Sequence, residues 1–262
     1  MDLQILQKEN NKIIFLLKGV DYTYANTIRR TMLSRVPSLA IKEIYFTKNS
    51  SALFNEMIAH RLGLIPLLTD LQSYELQETL SEKEQHSPRA ELHLSLKAEG
   101  PITVYASDLK FQDSAVKAVY GKIPIVKLLK GQELEFEAIA TLGRGETHTK
   151  YSPCLVYYKA APKISIEKVK NAEQVVKSCP VDVFELEGKQ VKVKDLYKCH
   201  LCLACTEEAD PEGAVRVESS EKDFIFTIES WGQLDPKIIL EEALNDLDTR
   251  AEQLKEVLGK AK

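Results

Sequence analysis

Residues 21–41, DYTYANTIRRTMLSRVPSLAI, decide the fold. Asp21 has the short acceptor side chain of a helix N-cap, and the following residues read as a helix that ends at Val36, because Pro37 cannot continue it. Within it Ala25, Ile28, Met32 and Val36 recur at helical spacing and make one apolar face. SLAIKEIYF then reads as a strand. Upstream, residues 3–19 read as a pair of strands joined at the polar turn Lys8-Glu9-Asn10-Asn11.

Working outward, FNEMIAHRLGLIPL from Phe54 to Leu67 reads as a short helix stopped at Gly63 and Pro66. Residues 69–90 are polar and charge-rich, an exposed loop with one helical turn. From Glu91 to Lys168 the chain alternates in short runs (ELHLSLKA, ITVYAS, VKAVY, IPIVKLL, ELEFEAIATLG, CLVYYK) and reads as a β-rich body. FIFTIESW, residues 224–231, returns as a strand. Asp235-Pro236 then supplies an N-cap and a first-turn proline for a helix running almost to the C-terminus. Its positions Leu240, Leu244, Leu247, Ala251, Leu254 and Leu258 alternate by four and three, a coiled-coil-like seam. Such a helix can pack on its own sheet, but a seam sustained over about 20 residues, roughly 30 Å, favours one shared with a partner.

Between these parts lies a cysteine segment. Cys199, Cys202 and Cys205 fall three apart, and Cys179, followed by Pro180, lies upstream. Bacterial-type ferredoxins hold a cubane with three thiolates of a C-x2-C-x2-C run and a fourth from a distant Cys-Pro. The spacing therefore predicts one iron-sulfur cluster on Cys179, Cys199, Cys202 and Cys205, 4Fe-4S, or 3Fe-4S if Cys179 is lost. A hairpin around Glu187-Gly188 would return Cys179 to the triple-cysteine loop. Structural zinc and inert thiols are the other readings. Zinc ligands usually come as two C-x2-C pairs, whereas these come as one plus three. Cys154 is read as a lone buried thiol.

With 262 residues and 44% hydrophobic content the chain can build sizeable cores. Its formal charge of −4 disfavours a dedicated nucleic-acid binder, although Arg29, Arg30 and Arg35 form a local basic patch. The first residues lack the apolar core of a signal peptide, and no stretch approaches a membrane span. An odd cysteine count argues against a disulfide framework and for the cytoplasm. No D-x-D-x-D-like constellation appears, so no catalytic residue is assigned. The acidic run Glu207, Glu208, Asp210, Glu212 reads as a solvated face and Gly143-Arg144-Gly145 as a turn.

The segments DYTYANTIRRTMLSRVPSLAI, FNEMIAHRLGLIPL and LGRGETHTKYSPC (residues 142–154), in that order, strongly resemble the α-like subunit family of cellular RNA polymerases. The resemblance implies an α+β fold with three parts. A discontinuous dimerisation domain would span residues 1–47 and 221–262, a β-rich insertion domain residues 48–170, and a small ferredoxin-like iron-sulfur domain residues 171–220. It implies pairing with a smaller paralogue, subunit L, through Ala25, Ile28, Met32, Leu240, Leu244, Leu247, Leu254 and Leu258. The second-largest polymerase subunit and the small zinc-bearing subunits N and P would lie against the insertion domain, on the surface that includes HRLGLIPL. Some relatives carry a cysteine-rich zinc loop after that block; residues 68–90 here contain no cysteine, so none is expected. The function expected is that of a noncatalytic assembly platform without specific DNA binding of its own. The alternative is an iron-sulfur electron-transfer subunit of a redox enzyme.

Overall fold

The computed structural model describes residues 1–260. In chain order its elements are β1 (Asp2–Lys8), β2 (Lys12–Lys18), α1 (Tyr22–Ser34), β3 (Ser38–Asn49), α2 (Asn55–Gly63), β4 (Glu91–Glu99), β5 (Ile102–Tyr105) and β6 (Lys110–Phe111). There follow β7 (Pro124–Leu128), β8 (Glu133–Gly143), β9 (Cys154–Ile166), α3 (Ala172–Ser178), β10 (Phe184–Glu187), β11 (Gln190–Val193), α4 (Ala204–Glu208), β12 (Val215–Ser230) and α5 (Pro236–Lys260). The fold is α+β, and both of its compact units are discontinuous in sequence.

One unit gathers Met1–Glu9, Ile13–Thr27 and Tyr157–Thr227. Its sheet has the order β1-β2-β12-β9, with β1 and β2 an antiparallel hairpin across the expected polar turn. In β2 the adjacent residues Phe15, Leu16 and Leu17 are all buried, so both faces of the strand are covered. Phe15 stacks on Phe226 with ring centroids 5.2 Å apart, and Tyr158 and Tyr22 meet Phe224 edge-on. Each such phenylalanine stabilises the fold by roughly 1.5–3 kcal/mol through burial alone. Leu16, of opposite parity, packs with Ala161 and Ile225, and Tyr197 lies over them. Asp21 caps α1 as its side chain predicts, its Oδ1 accepting from the Tyr24 N–H at 2.7 Å.

The cysteine segment belongs to this unit. Its predicted hairpin is β10 and β11, turning at Gly188 with φ +66°, a left-handed conformation that suits glycine. Ala172, Val175, Val183, Phe184, Val191 and Val215 form its core, extended by Ile164 and Ile166 of β9 and Val217 of β12. The segment therefore shares its core with the long strands on either side of it.

The other unit comprises residues 10–12, 28–156 and the chain from Ile228 onward. An antiparallel sheet of order β3-β8-β4-β6 and a second pair, β5-β7, enclose its core. Leu134, Phe136, Ala138, Ala140 and Leu142 alternate along β8 and point inward. α2 adds Ile58 and Leu62, both fully buried. The expected strand VKAVY is not one. Lys117 and Val119 exchange single bonds with Leu68 and Pro66, and only Ala118 forms a bridge, to Leu67. Its partner is the irregular end of the GLIPLL run, which cannot sustain a ladder.

Candidate functional site

At the predicted cluster site the loop from Cys199 to Cys205 turns tightly, with Leu201 and Leu203 at φ +63° and +66°. Cys199 and Cys205 are buried, Cys179 is partly buried, and all three touch the apolar cluster of the insertion; Cys202 is exposed. Val183 N–H donates to Cys179 Sγ at 3.4 Å and Leu201 N–H to Cys199 Sγ at 3.5 Å. Burial pushes the Cys205 thiol above its ordinary pKa, and the neighbouring Cys199 and Cys179 add to the shift. Among the described residues, however, no three Cys, His, Asp or Glu side chains form a group that could hold a metal ion. The iron-sulfur character expected from Cys179, Cys199, Cys202 and Cys205 is corrected accordingly. Spacing had stood in for a metal core, whereas apolar residues borrowed from β9 and β12 supply the core here.

Lys159 of β9 ties this loop to the sheet. Its Nζ donates to the carbonyls of Tyr197 and Cys199, each at 2.7 Å. Burial is the main influence on its amine and pushes the pKa below that of a free lysine. The sequence signal was a lone lysine in the apolar run CLVYYKAA.

The predicted partner face divides in two. Ala25, Ile28 and Met32 are 0, 3 and 0% exposed, wholly buried within the chain. That face of α1 packs on its own protein, which corrects their assignment to a dimer interface. The seam of α5 behaves differently. Pro236, Ile239 and Ala243 are the buried residues of the helix, Leu240, Leu244 and Leu247 next to them are half-buried, and residues 251–260 are all exposed. Leu254, Val257 and Leu258 are 59, 64 and 60% exposed, an apolar stripe over the final turns. α2 and the residues capping its two ends also carry apolar side chains outward, with Phe54 77% exposed and Met57 and Leu64 about half exposed.

The stretch after β8 packs these elements together within its unit. A Cβ on Gly145 would lie 2.1 Å from the Leu33 carbonyl oxygen, and one on Gly143 would meet the Tyr151 ring at 2.6 Å. Both glycines therefore serve close approach. Glu146 N–H donates to the Ser34 carbonyl at the end of α1, and Arg35 reaches Glu146 from one side and Asp246 of α5 from the other. The hydrogen bond to Glu146 is the main cause that raises the Arg35 pKa, and the same bond holds the Glu146 carboxyl below the usual carboxylate range.

Residues 44–153, which include most of this unit, match the family described as the RNA polymerase Rpb3/RpoA insert domain. Across 97% of its length the chain is 39% identical to the DNA-directed RNA polymerase subunit Rpo3 of Methanosphaera stadtmanae, itself 97% covered. The chain belongs to the Rpo3 family. Other members are the Rpo3 subunits of Pyrococcus furiosus, 39% identical over 97% of this chain and 95% of that one, and of Methanosarcina mazei, 37% identical over 98% of each. As a member of this α-like family the chain is a subunit of a DNA-directed RNA polymerase, and its partners lie within that complex. Full-length likeness to polymerase subunits leaves the electron-transfer alternative without support. The family blocks around Arg35 and Gly145 were visible in the sequence, but the ionic link between them, Arg35 to Glu146, was not, since no local spacing encodes a contact so distant along the chain.

Proposed function

We propose that the chain is the noncatalytic assembly platform of an archaeal-type RNA polymerase, working in the cytoplasm, and that it nucleates the enzyme by pairing with subunit L. The observation that carries the reading is the apolar stripe Leu254, Val257 and Leu258, which the chain itself leaves open at the end of α5. Burying three such side chains against a partner helix is worth several kcal/mol, at roughly 1.5–3 kcal/mol each. In this reading residues 1–47 and 221–262 form the dimerisation domain. Residues 48–170 carry the outward Phe54, Met57 and Leu64 that receive the second-largest subunit and the small subunits N and P. The nucleotidyltransferase chemistry belongs to the other chains of the complex, where a tight carboxylate group would hold the magnesium ions of phosphoryl transfer.

The test is stepwise co-expression. The chain with an L-type subunit should elute as a stable 1:1 complex by size-exclusion chromatography with light scattering, and that complex, unlike either subunit alone, should then capture the second-largest subunit. A monomeric elution in the presence of the L-type subunit would defeat the reading.

A further inference from the structure

A second feature of the insert-domain unit is a cleft of about 440 Å³ between the end of β8, the turn at Gln77–Thr79 and the residues just after Gly143. Three permanent cations line it, Lys42, Arg144 and Lys150, against a single carboxylate, Glu78. Glu78 is taken by Arg144 Nη1. The other two cations have only neutral acceptors: Lys42 Nζ donates to the Gln77 amide oxygen and Lys150 Nζ to the Ile41 carbonyl, each at 2.9 Å. Arg144 Nε is buried with no hydrogen-bond partner among the described residues. His148 Nδ1 accepts the Lys150 N–H at 3.0 Å, which in the neutral ring puts the hydrogen on Nε2 as a further donor. Leu142 and the Tyr151 ring form part of the wall. Burial and the nearby Lys42 push the Lys150 amine below its ordinary pKa, as expected of a cation whose counter-ion is not supplied by its own chain.

We propose that this cleft is an anion socket that receives a carboxylate from an acidic segment of another polymerase subunit, an inference that rests on the assembly reading above. An excess of two positive charges, donors converging on one cleft and an apolar wall for an aliphatic stem fit an aspartate or glutamate side chain. Charge-assisted bonds to two lysines would fix the register of the docked segment as well as strengthen it.

The experiment uses assembled polymerase treated with a carbodiimide, which couples an amine to a carboxylate only in direct contact, followed by peptide mass spectrometry. Lys42 or Lys150 should be found joined to an aspartate or glutamate of a different subunit. The double variant Lys42→Gln/Lys150→Gln should weaken retention of the other subunits about tenfold at moderate salt while leaving the circular dichroism unchanged. Should Lys150→Gln disturb folding, Lys42→Gln alone, at an exposed position, gives the same comparison. Coupling confined to Glu78 of the same chain, or unaltered assembly of a folded variant, overturns the socket. So does protection of these lysines from acetylation by inorganic phosphate in the isolated chain without any coupling to another subunit in the complex, which would mark a free-anion pocket. Failure of the unaltered chain to assemble at all would instead defeat the platform reading.

Discussion

Arg35 and Asp246 meet across 211 residues of chain, the guanidinium Nη2 lying 3.2 Å from Oδ1 and Nε 3.3 Å from both carboxylate oxygens. The same guanidinium places Nη1 2.5 Å from Glu146 Oε1. One cation thereby holds the end of α1, the stretch after β8 and the middle of α5. The Asp246 side chain is only 14% exposed and has a second cation beside it, Arg250 of the same helix, whose Nε lies 3.7 Å from Oδ2.

Arg35→Ala should destabilise the chain by about 1–3 kcal/mol, the loss of charged hydrogen bonds to Glu146 and Asp246, read as a Tm lower by roughly 2–12 °C. The pH dependence has a definite sign. A carboxyl with a depressed folded-state pKa contributes stability that is complete above its unfolded pKa and lost as pH falls through the folded value. Glu146 is such a group, so the gap between wild type and Arg35→Ala should narrow on acidification from about pH 7 to about pH 3. A gap that widens on acidification would show that Arg35 does not act through Glu146.

Gly145→Ala tests the close approach to α1. The added Cβ would meet backbone, the Leu33 carbonyl oxygen at 2.1 Å, so neither side can give way by a rotamer change. A loss of about 1–3 kcal/mol, as for overpacking in a dense core, is expected from chemical denaturation. Gly259→Ala, where nothing lies within 4 Å, is the control and should be neutral or slightly stabilising. Equal effects at the two positions would exclude close packing as the reason for Gly145.

How far the sequence could be read depended on the range of the interactions. Asp21, Pro37 and Asp235-Pro236 mark helix ends because capping acts within a turn, and α1 and α5 begin where those residues predict. The strand alternation of β4 and β8 was equally legible. What periodicity could not show is which apolar face stays open. Ala25, Ile28 and Met32 form as regular a stripe as Leu254 and Leu258, yet the first is covered by the chain itself and the second is not. The cysteines failed in a related way. Their spacing describes a ligand set, but side-chain direction decides whether ligands converge, and Cys202 faces solvent while Cys199 and Cys205 are buried.

Thiol chemistry should follow that burial. Desolvation alone pushes the Cys154 thiol up to about 12, so almost no thiolate exists at neutral pH, and the residue is only 1% exposed. Under native conditions a maleimide should label Cys202 first and Cys154 last, with Cys154 reacting only after denaturant is added. Peptide mapping over time gives the order, and early labelling of Cys154 would contradict its placement.

Lys159→Met should loosen the loop at Tyr197–Cys199 without unfolding the sheet. The methionine keeps the stem and removes the donor, leaving the Tyr197 and Cys199 carbonyls without their lysine partner. Amide exchange should quicken across residues 196–203 and Cys199 should become open to alkylation, while exchange in β2 and β12 stays slow. Uniform acceleration in loop and strands would mean that Lys159 supports the whole unit.

The apolar end of α5 gives the sharpest separation of folding from pairing. Leu247 lies at the centre of the seam but is half-buried in its own chain, so a charge there would disturb both. Leu254 and Leu258 are 59 and 60% exposed, one helical turn apart, and the double change Leu254→Asp/Leu258→Asp should leave the Tm of the isolated chain within about 2 °C, as for surface substitutions. Pairing is another matter. Seated against a partner helix, each aspartate would be taken out of water without a counter-ion, a penalty of several kcal/mol per ion. Affinity for a co-expressed L-type subunit should thus fall by at least 100-fold, enough to separate the two on a sizing column. Retention of the 1:1 complex by the double variant would move the interface off this stripe, and the open face of α5 would then need another occupant.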